Sequence, residues 1–581
     1  MKCIIVSLCL AISLLPLAAQ SNSTETPQKT DTAYIERNIN VEKEYAPELA
    51  PAKRTNVEYT VQEQNIKKAD ITYSGYAADV QPTPQFYPLS ALSQKILNQK
   101  TPKKGYAALG FGYPIDWLAT LYYPIIATGD DHLEMLLDHK GFILGKKQLI
   151  DTDFGMKYTH NIGKSDQLHA AVGYANRYYT YYGKHNLDSF SVYSFGNGCA
   201  VFPFDTCRLN NRQSIHEVAV VVGANSITDH NGWRYTADLS YDMHLLQYLG
   251  TSQHDVRLTG EVTKAIRQHT IAVLLDFDSY FYAGDALNSK KNLKNNGILG
   301  LAPQYRLNVN GLDMKLGLKM YFSFNKGMVF NIMPDLSFRY NVHKLMDVYL
   351  DLTGDYRQVS LSSMMNECRY WHPLIDGDFN KYTPLKAIIG TNIKPMKGMM
   401  FTFDATYGIN LNDHFFINKY YGDLERSNHF TAVYSNSQNI DLNARLGYNH
   451  KNRYTAYTRA TYHFWYVGNN WSTPWHRPTF EWEIGTEIRP IENLMINANF
   501  FLGTGYSAGV PNDETFTTFT TIKMNNHYDL NIGASYKFKN DIAIFAQFNN
   551  LLSLSPNLRY QDWYGYDNIG FNCMLGVKFG F

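Results

Sequence analysis

Apolar and polar positions alternate along most of this chain. Residues 571–581 read FNCMLGVKFGF: Phe571, Cys573, Leu575, Val577, Phe579 and Phe581 are apolar, and Asn572, Met574, Gly576, Lys578 and Gly580 stand between them. A period of two marks a strand whose two faces meet different surroundings. The rhythm recurs. Leu312, Met314, Leu316, Leu318, Met320 and Phe322 alternate with Asp313, Lys315, Gly317, Lys319 and Tyr321. Phe401, Phe403, Ala405, Tyr407 and Ile409 alternate with Thr402, Asp404, Thr406, Gly408 and Asn410. Leu494 to Leu502 and Tyr528 to Phe538 do the same. From Gly105 onward the chain divides into such segments of about ten residues, the length of a membrane-crossing strand.

The connections decide between architectures. Tight turns are expected at 161–167, 308–313, 342–347, 394–399, 450–453, 489–493 and 538–541. Long polar and aromatic connections are expected near 183–213, 282–296, 357–382, 411–437, 465–477, 504–526 and 550–568. A sandwich or propeller has no need to alternate short with long. An up-and-down barrel with tight turns at one rim and long loops at the other does. The expected fold is therefore all-β, an antiparallel transmembrane β-barrel of about 22 strands, within a range of about 18–24. The uncertain stretches are 105–140, interrupted by Pro114 and Pro124, and 411–437, where NHFTAVY reads as strand or loop.

Composition agrees with that reading. The 581-residue chain holds 44 Tyr and 32 Phe, and aromatics make up 14% of it, which suits girdles at two membrane interfaces. Mean hydropathy is −0.33, as expected when strands are only half apolar. A formal net charge of +1 gives no basic field for nucleic acid.

The first residues, MKCIIVSLCLAISLLPLAAQ, have the parts of a signal peptide over 1–19, with Lys2 before an apolar run and Leu17-Ala18-Ala19 as the cleavage site. Residues 20–32 read as a disordered linker. Residues 33–104 are too short and polar for an ordinary core and read as an extended strap, periplasmic or inside the barrel. The barrel occupies 105–581. Export together with a barrel places the chain in the outer membrane of a Gram-negative bacterium, with outer-membrane lipid and the barrel-assembly machinery as partners. In this reading Phe579 and Phe581 end the closing strand and carry the assembly signal.

Candidate functional positions are the charges expected to face the lumen: Asp313, Lys315 and Lys319 on one strand, Asp351, Asp355 and Arg357 on another, and Arg445 and Arg459 on a hairpin. Any large barrel has a wet, mixed-charge interior, so most such residues only satisfy the inner face. Their mixed signs set no preference for anions or cations. Cys199 and Cys207, in GNGCAVFPFDTC, could form a disulfide in an exported loop. No phosphate loop, EF-hand, zinc spacing or nucleophile site stands out, so neither a cofactor, a metal nor an enzymatic activity is expected.

The segments IAIFAQFNNLL (542–552) and IGFNCMLGVKFGF (569–581) resemble the closing hairpin of TonB-dependent receptors, with Asn549, Asn550 and Leu551 in the turn. GYAALGFGYP and LEMLLDHKG resemble a plugless branch of these receptors found in Bacteroidota. The resemblance implies a 22-stranded barrel. Residues 20–104 are shorter than the plug such receptors carry, and NINVEKEY (38–45) is a weak match to a TonB box, so use of TonB is left open. The expected function is a transport-class barrel, a channel or receptor-like translocator. The alternative is a non-transporting barrel that scaffolds an envelope complex with a lipoprotein or periplasmic partner. A barrel this wide needs a filling: the strap 33–104, infolded loops such as 357–382 or 411–437, or a partner protein, with the strap and loops together the favoured reading.

Overall fold

The computed structural model describes residues 105–183, 212–284, 295–325, 327–371, 380–421, 425–451, 453–468, 473–512, 518–538 and 541–581. The expected leader, linker and strap, and Cys199 with Cys207, lie outside the described residues.

Strand formation follows the alternation directly. Leu312–Phe324 carries Leu316 and Leu318 on its exposed face, while Lys315 and Lys319 turn to polar partners on the other. Its connection to Asn296–Val309 is Asn310-Gly311, both with positive φ (48° and 79°). Asn followed by Gly supplies those left-handed conformations at low cost, in the two-residue turn whose twist matches paired strands. The connection before Trp233–Leu246 uses Asn231-Gly232 in the same way.

Each strand pairs antiparallel with the next, from Tyr106–Tyr113 to Leu494–Thr504 and on through His527–Lys537, Ile542–Asn549 and Asn572–Gly580. The last of these pairs back onto Tyr106–Tyr113, from Tyr106 opposite Gly580 to Tyr113 opposite Cys573. The sheet is thereby a closed antiparallel ring of 22 strands. Closure leaves no edge, as a sheet in lipid requires. Gly105 and Phe581 exchange backbone hydrogen bonds at the seam (2.7 and 3.1 Å), and the Phe581 ring stacks on Tyr123. A further hairpin, Ser507–Pro511 with Phe519–Lys523, joins the sheet at one parallel bridge between Gly509 and Ile417.

Two stretches differ from the expectation in detail. Pro114 does not interrupt a strand; it separates Tyr106–Tyr113 from Ile115–Ala127, and Pro124 sits where the register of the second strand shifts. Residues 411–437 are not a long connection. Met399–Tyr421 and Glu425–His450, of 23 and 26 residues, run as one tall hairpin through that region. At about 3.3 Å per residue it rises well beyond an apolar band about 25 Å high. The seam strands Tyr106–Tyr113 and Ile542–Asn549 have only 8 residues each, so the outer rim is strongly uneven.

Candidate functional site: a roofed mouth above a charged lumen

The largest buried apolar cluster lies at the rim that carries the long loops. After Met346–Gln358 the chain forms the short helix Leu361–Glu367, capped by Ser360, whose Oγ accepts from the Ser363 N–H (3.2 Å). Leu361, Met364 and Met365 are buried in it. They join Tyr179, Tyr181, Ile215, Leu246, Phe416, Phe430, Trp563 and Tyr566, which come from well-separated arcs of the ring. Tyr370 stacks on Tyr566 with ring centroids 3.7 Å apart.

Polar contacts fix the same convergence. Tyr566 Oη donates to the Asn428 carbonyl (2.6 Å), and Asn428 Nδ2 donates to the Tyr181 carbonyl (3.0 Å). Lys147 Nζ donates to the carbonyls of Asp567 (2.9 Å) and Asn568 (2.6 Å). Gln253 holds the helix, accepting from the Ser362 N–H (3.2 Å) and donating to Ser362 Oγ (3.1 Å). Loops following the strands Asp166–Thr180, Met346–Gln358 and Ile542–Asn549 thus meet the tall hairpin over the mouth. They form a roof.

A knot of buried charge locks that roof to the wall. The register slips between Asn410 and Asp413, with Asn412 at φ 57°, and this bulge buries the Asp413 side chain to 1% exposure. Arg477 donates to it from Nη1 (2.8 Å) and Nη2 (3.2 Å), Lys381 Nζ stands 2.8 Å away, and Ser437 Oγ donates at 2.7 Å. Arg477 also lies over the rings of Phe415 and Trp465. Beside the knot, His414 Nε2 and Glu367 Oε2 are 2.6 Å apart. Burial raises the pKa of Glu367, but His414, Arg477 and Lys381 outweigh it and hold the carboxyl below its ordinary range. Burial pushes the thiol of the fully enclosed Cys368 well above its ordinary range.

The lumen residues singled out from sequence fall into separate groups. Lys315 pairs with the buried Asp335 (2.7 Å), and Lys319 donates to Thr353 Oγ1 (3.0 Å) and the Gly354 carbonyl (3.1 Å). Asp313 is exposed beside the Asn310-Gly311 turn. Asp351 stands opposite Ser337 and Ile388. Asp355 and Arg357 follow a register slip at Gly354 and are exposed, with Asp355 near enough to act on Asp278 and Tyr321. Arg445 and Arg459 face each other across their hairpin, and Arg459 also faces Glu483. These positions do not converge on one centre. Among the described residues no group of three or more His, Cys, Asp or Glu could hold a metal.

Sequence reasoning named 357–382 and 411–437 as infolded segments but missed Asp413, Arg477, Lys381 and the aromatic contacts that tie them together. The only local signal was the clustering of His, Asn and aromatics in NDHFFINKYY (412–421), where strict alternation fails.

No family model matches the chain. No curated protein matches it in sequence. Solved structures do match in fold, each over 83% of this chain. Pseudomonas aeruginosa FpvA, solved bound to heterologous pyoverdines, aligns with a TM-score of 0.60 at 11% identity over 72% of its chain. The ferric enterobactin receptor PfeA of the same organism gives 0.60 at 10% over 81% of its chain. The FrpB iron transporter of Neisseria meningitidis gives 0.61 at 10% over 82% of its chain. These neighbours are TonB-dependent receptors with 22-stranded barrels. The present chain has their barrel fold.

Proposed function

We propose that the protein is an outer-membrane transport barrel, a receptor-like translocator whose mouth is closed at rest by its own outer loops. The observation that carries this reading is the roof. A ring of 22 strands encloses a wide lumen, and loops from well-separated arcs span its mouth with buried aromatic and hydrogen-bonded contacts. A closed but non-covalent roof suits a solute path that must not leak. The barrel fold shared with FpvA, PfeA and FrpB supports the same class. In this reading residues 33–104 are a second stopper within or below the barrel, coupling to TonB supplies the energy, and lipid surrounds the exposed apolar face that includes Leu318, Phe403 and Val577.

The test compares cells with and without the protein for accumulation of labelled iron chelates, oligopeptides, glycans and amines. The reading expects uptake of at least one class to fall on deletion, and to collapse with an uncoupler. Unchanged uptake of every class, together with stable co-purification of another envelope protein, would replace it with a scaffold.

A further inference from the structure

Three successive tight turns on one rim carry cations and no acids. They are Lys344-Leu345 after Phe330–His343, residues 394–398 after Asn380–Ile393, and residues 451–453 after Glu425–His450. Strand pairing sets them side by side, two strand spacings or about 10 Å from one to the next. Together they present Lys344, Lys394, Lys397, Lys451 and Arg453, all exposed. Among the described residues none of these five side chains makes a hydrogen bond or an ion pair. Acids stand at the flanks of the arc: Asp313 beside the turn before it and Glu492 in the turn after it. Asp347, just inside the first turn, is held by Asn392 Nδ2 (2.8 Å), and Glu487 pairs with Arg489 (2.8 Å).

Another stretch of the same rim has the opposite sign, and its charges are engaged. The turns at 128–131, 163–166 and 227–232 bring Asp131, Asp166 and Asp229. Asp131 accepts from Tyr158 Oη (2.6 Å) and lies 2.8 Å from His160 Nδ1. Asp166 accepts from Ser165 Oγ (2.8 Å) and Tyr235 Oη (2.9 Å), and Asp229 accepts from the Gly232 N–H. The net charge of +1 therefore hides a rim with one satisfied acidic arc and one unpaired basic arc. The surroundings of the basic arc are apolar and outward. Tyr340, Tyr448 and Tyr454 stand within a few residues of its turns, opposite Leu312, Met399 and Ile488, on the face that carries Leu318 and Phe403. Tyrosines there mark the headgroup level of a membrane barrel. Val342, Leu345 and Met396 are exposed among the cations.

We propose that this arc binds the headgroups of anionic glycerophospholipids in the leaflet beside the tight turns. Exposed apolar side chains meet the acyl chains, and the long stems of Lys and Arg carry their charges out to the phosphates. Each cation held near an anionic lipid surface adds to the attraction. Arg453 can grip a phosphate through two parallel N–H bonds, and the lysines act as point charges beside it. A soluble acidic protein would meet the same cations, but it would not call for a tyrosine girdle and exposed apolar residues at the same level. The acidic arc repels the same lipid, so anionic lipid gathers along one side of the barrel only. This inference rests on the membrane placement in the transport reading, but lipid retention is measured apart from solute flux.

The experiment places the full chain in nanodiscs of equal parts phosphatidylglycerol and phosphatidylethanolamine with identical acyl chains. The protein is then released into mild detergent, and native mass spectrometry counts the lipids it keeps. Phosphatidylglycerol is expected to be enriched among them. The enrichment is expected to fall at least about fivefold in the triple variant Lys394→Gln, Lys397→Gln and Lys451→Gln, and to weaken in high salt. Lys164→Gln, in the acidic arc, is expected to keep it. Heat-modified gel migration checks that each variant is folded; all four positions are exposed in turns. Equal retention of the two lipids, enrichment that survives the triple variant, or an equal loss in Lys164→Gln would overturn the proposal. A barrel that keeps phosphatidylglycerol but moves none of the tested solutes would retain this site and overturn the transport reading.

Discussion

His476 is buried between Phe430 and Trp563, and neither of its ring nitrogens has a hydrogen-bond partner. Burial, with His527 adding to it, pushes its pKa down to about 3. A histidine held neutral this way takes up a proton more readily when its surroundings unfold. Its contribution is fully present above the ordinary value of about 6.5 and is lost as pH falls from there toward 3. Glu367, held low by His414, Arg477 and Lys381 against its burial, loses its contribution as pH falls through the carboxylate range. Both act in one direction, so acid loosens the roof. Protection factors of residues 359–371, corrected for the intrinsic exchange rate at each pH, are expected to fall between pH 7.5 and pH 5, and to fall less in His476→Phe. Equal protection at both pH values would show that these groups do not govern it. On the wall, Leu316→Arg is expected to lower stability by about 2–4 kcal/mol if it lies near the bilayer midplane. Gly317→Ala should also destabilise, because an added Cβ would stand 2.9 Å from Gln304 Cγ and from the Pro303 carbonyl. Urea titration of refolded barrels measures both. The alternation in 312–322 was legible because lipid on one face and polar partners on the other impose it. The tight inner packing at Gly317 was not, since it depends on a neighbouring strand.

Among elements, the tall hairpin Met399–Tyr421 with Glu425–His450 supplies one side of the roof and the central anion of its charge knot. Removing the anion at its centre takes from Arg477 and Lys381, each about 15% exposed, the carboxylate that both contact. Asp413→Ala is expected to cost about 3–5 kcal/mol. The loss should appear as protease cleavage within 359–371 while the barrel still migrates as folded. Unchanged resistance to protease would mean the aromatic cluster alone holds the roof. This hairpin is also where the sequence was hardest to read. The bulge at Asn410–Asp413 resets parity, and above it both faces are buried, so the period of two disappears and the stretch resembles a loop. The tight turns were legible for the opposite reason: Asn310-Gly311 and its kind declare their backbone conformation locally.

The molecule as a whole is a barrel whose strand number and closure followed from alternation and from connection lengths, both of which are local in sequence. The roof was legible only as infolded segments at 357–382 and 411–437; its contacts were not, because Tyr181, Asn428 and Tyr566 meet across the mouth from positions well over a hundred residues apart. The central claim is that the ring encloses a solute path held shut from outside. Single-channel conductance in a planar bilayer tests it most directly, with three forms: the intact chain, a chain with 361–371 replaced by a Gly-Ser linker, and that variant also lacking 33–104. The account predicts silence from the intact form and large, stepwise currents once both stoppers are gone. Silence from all three, with folding confirmed, would contradict it and leave a sealed barrel in place of a transporter.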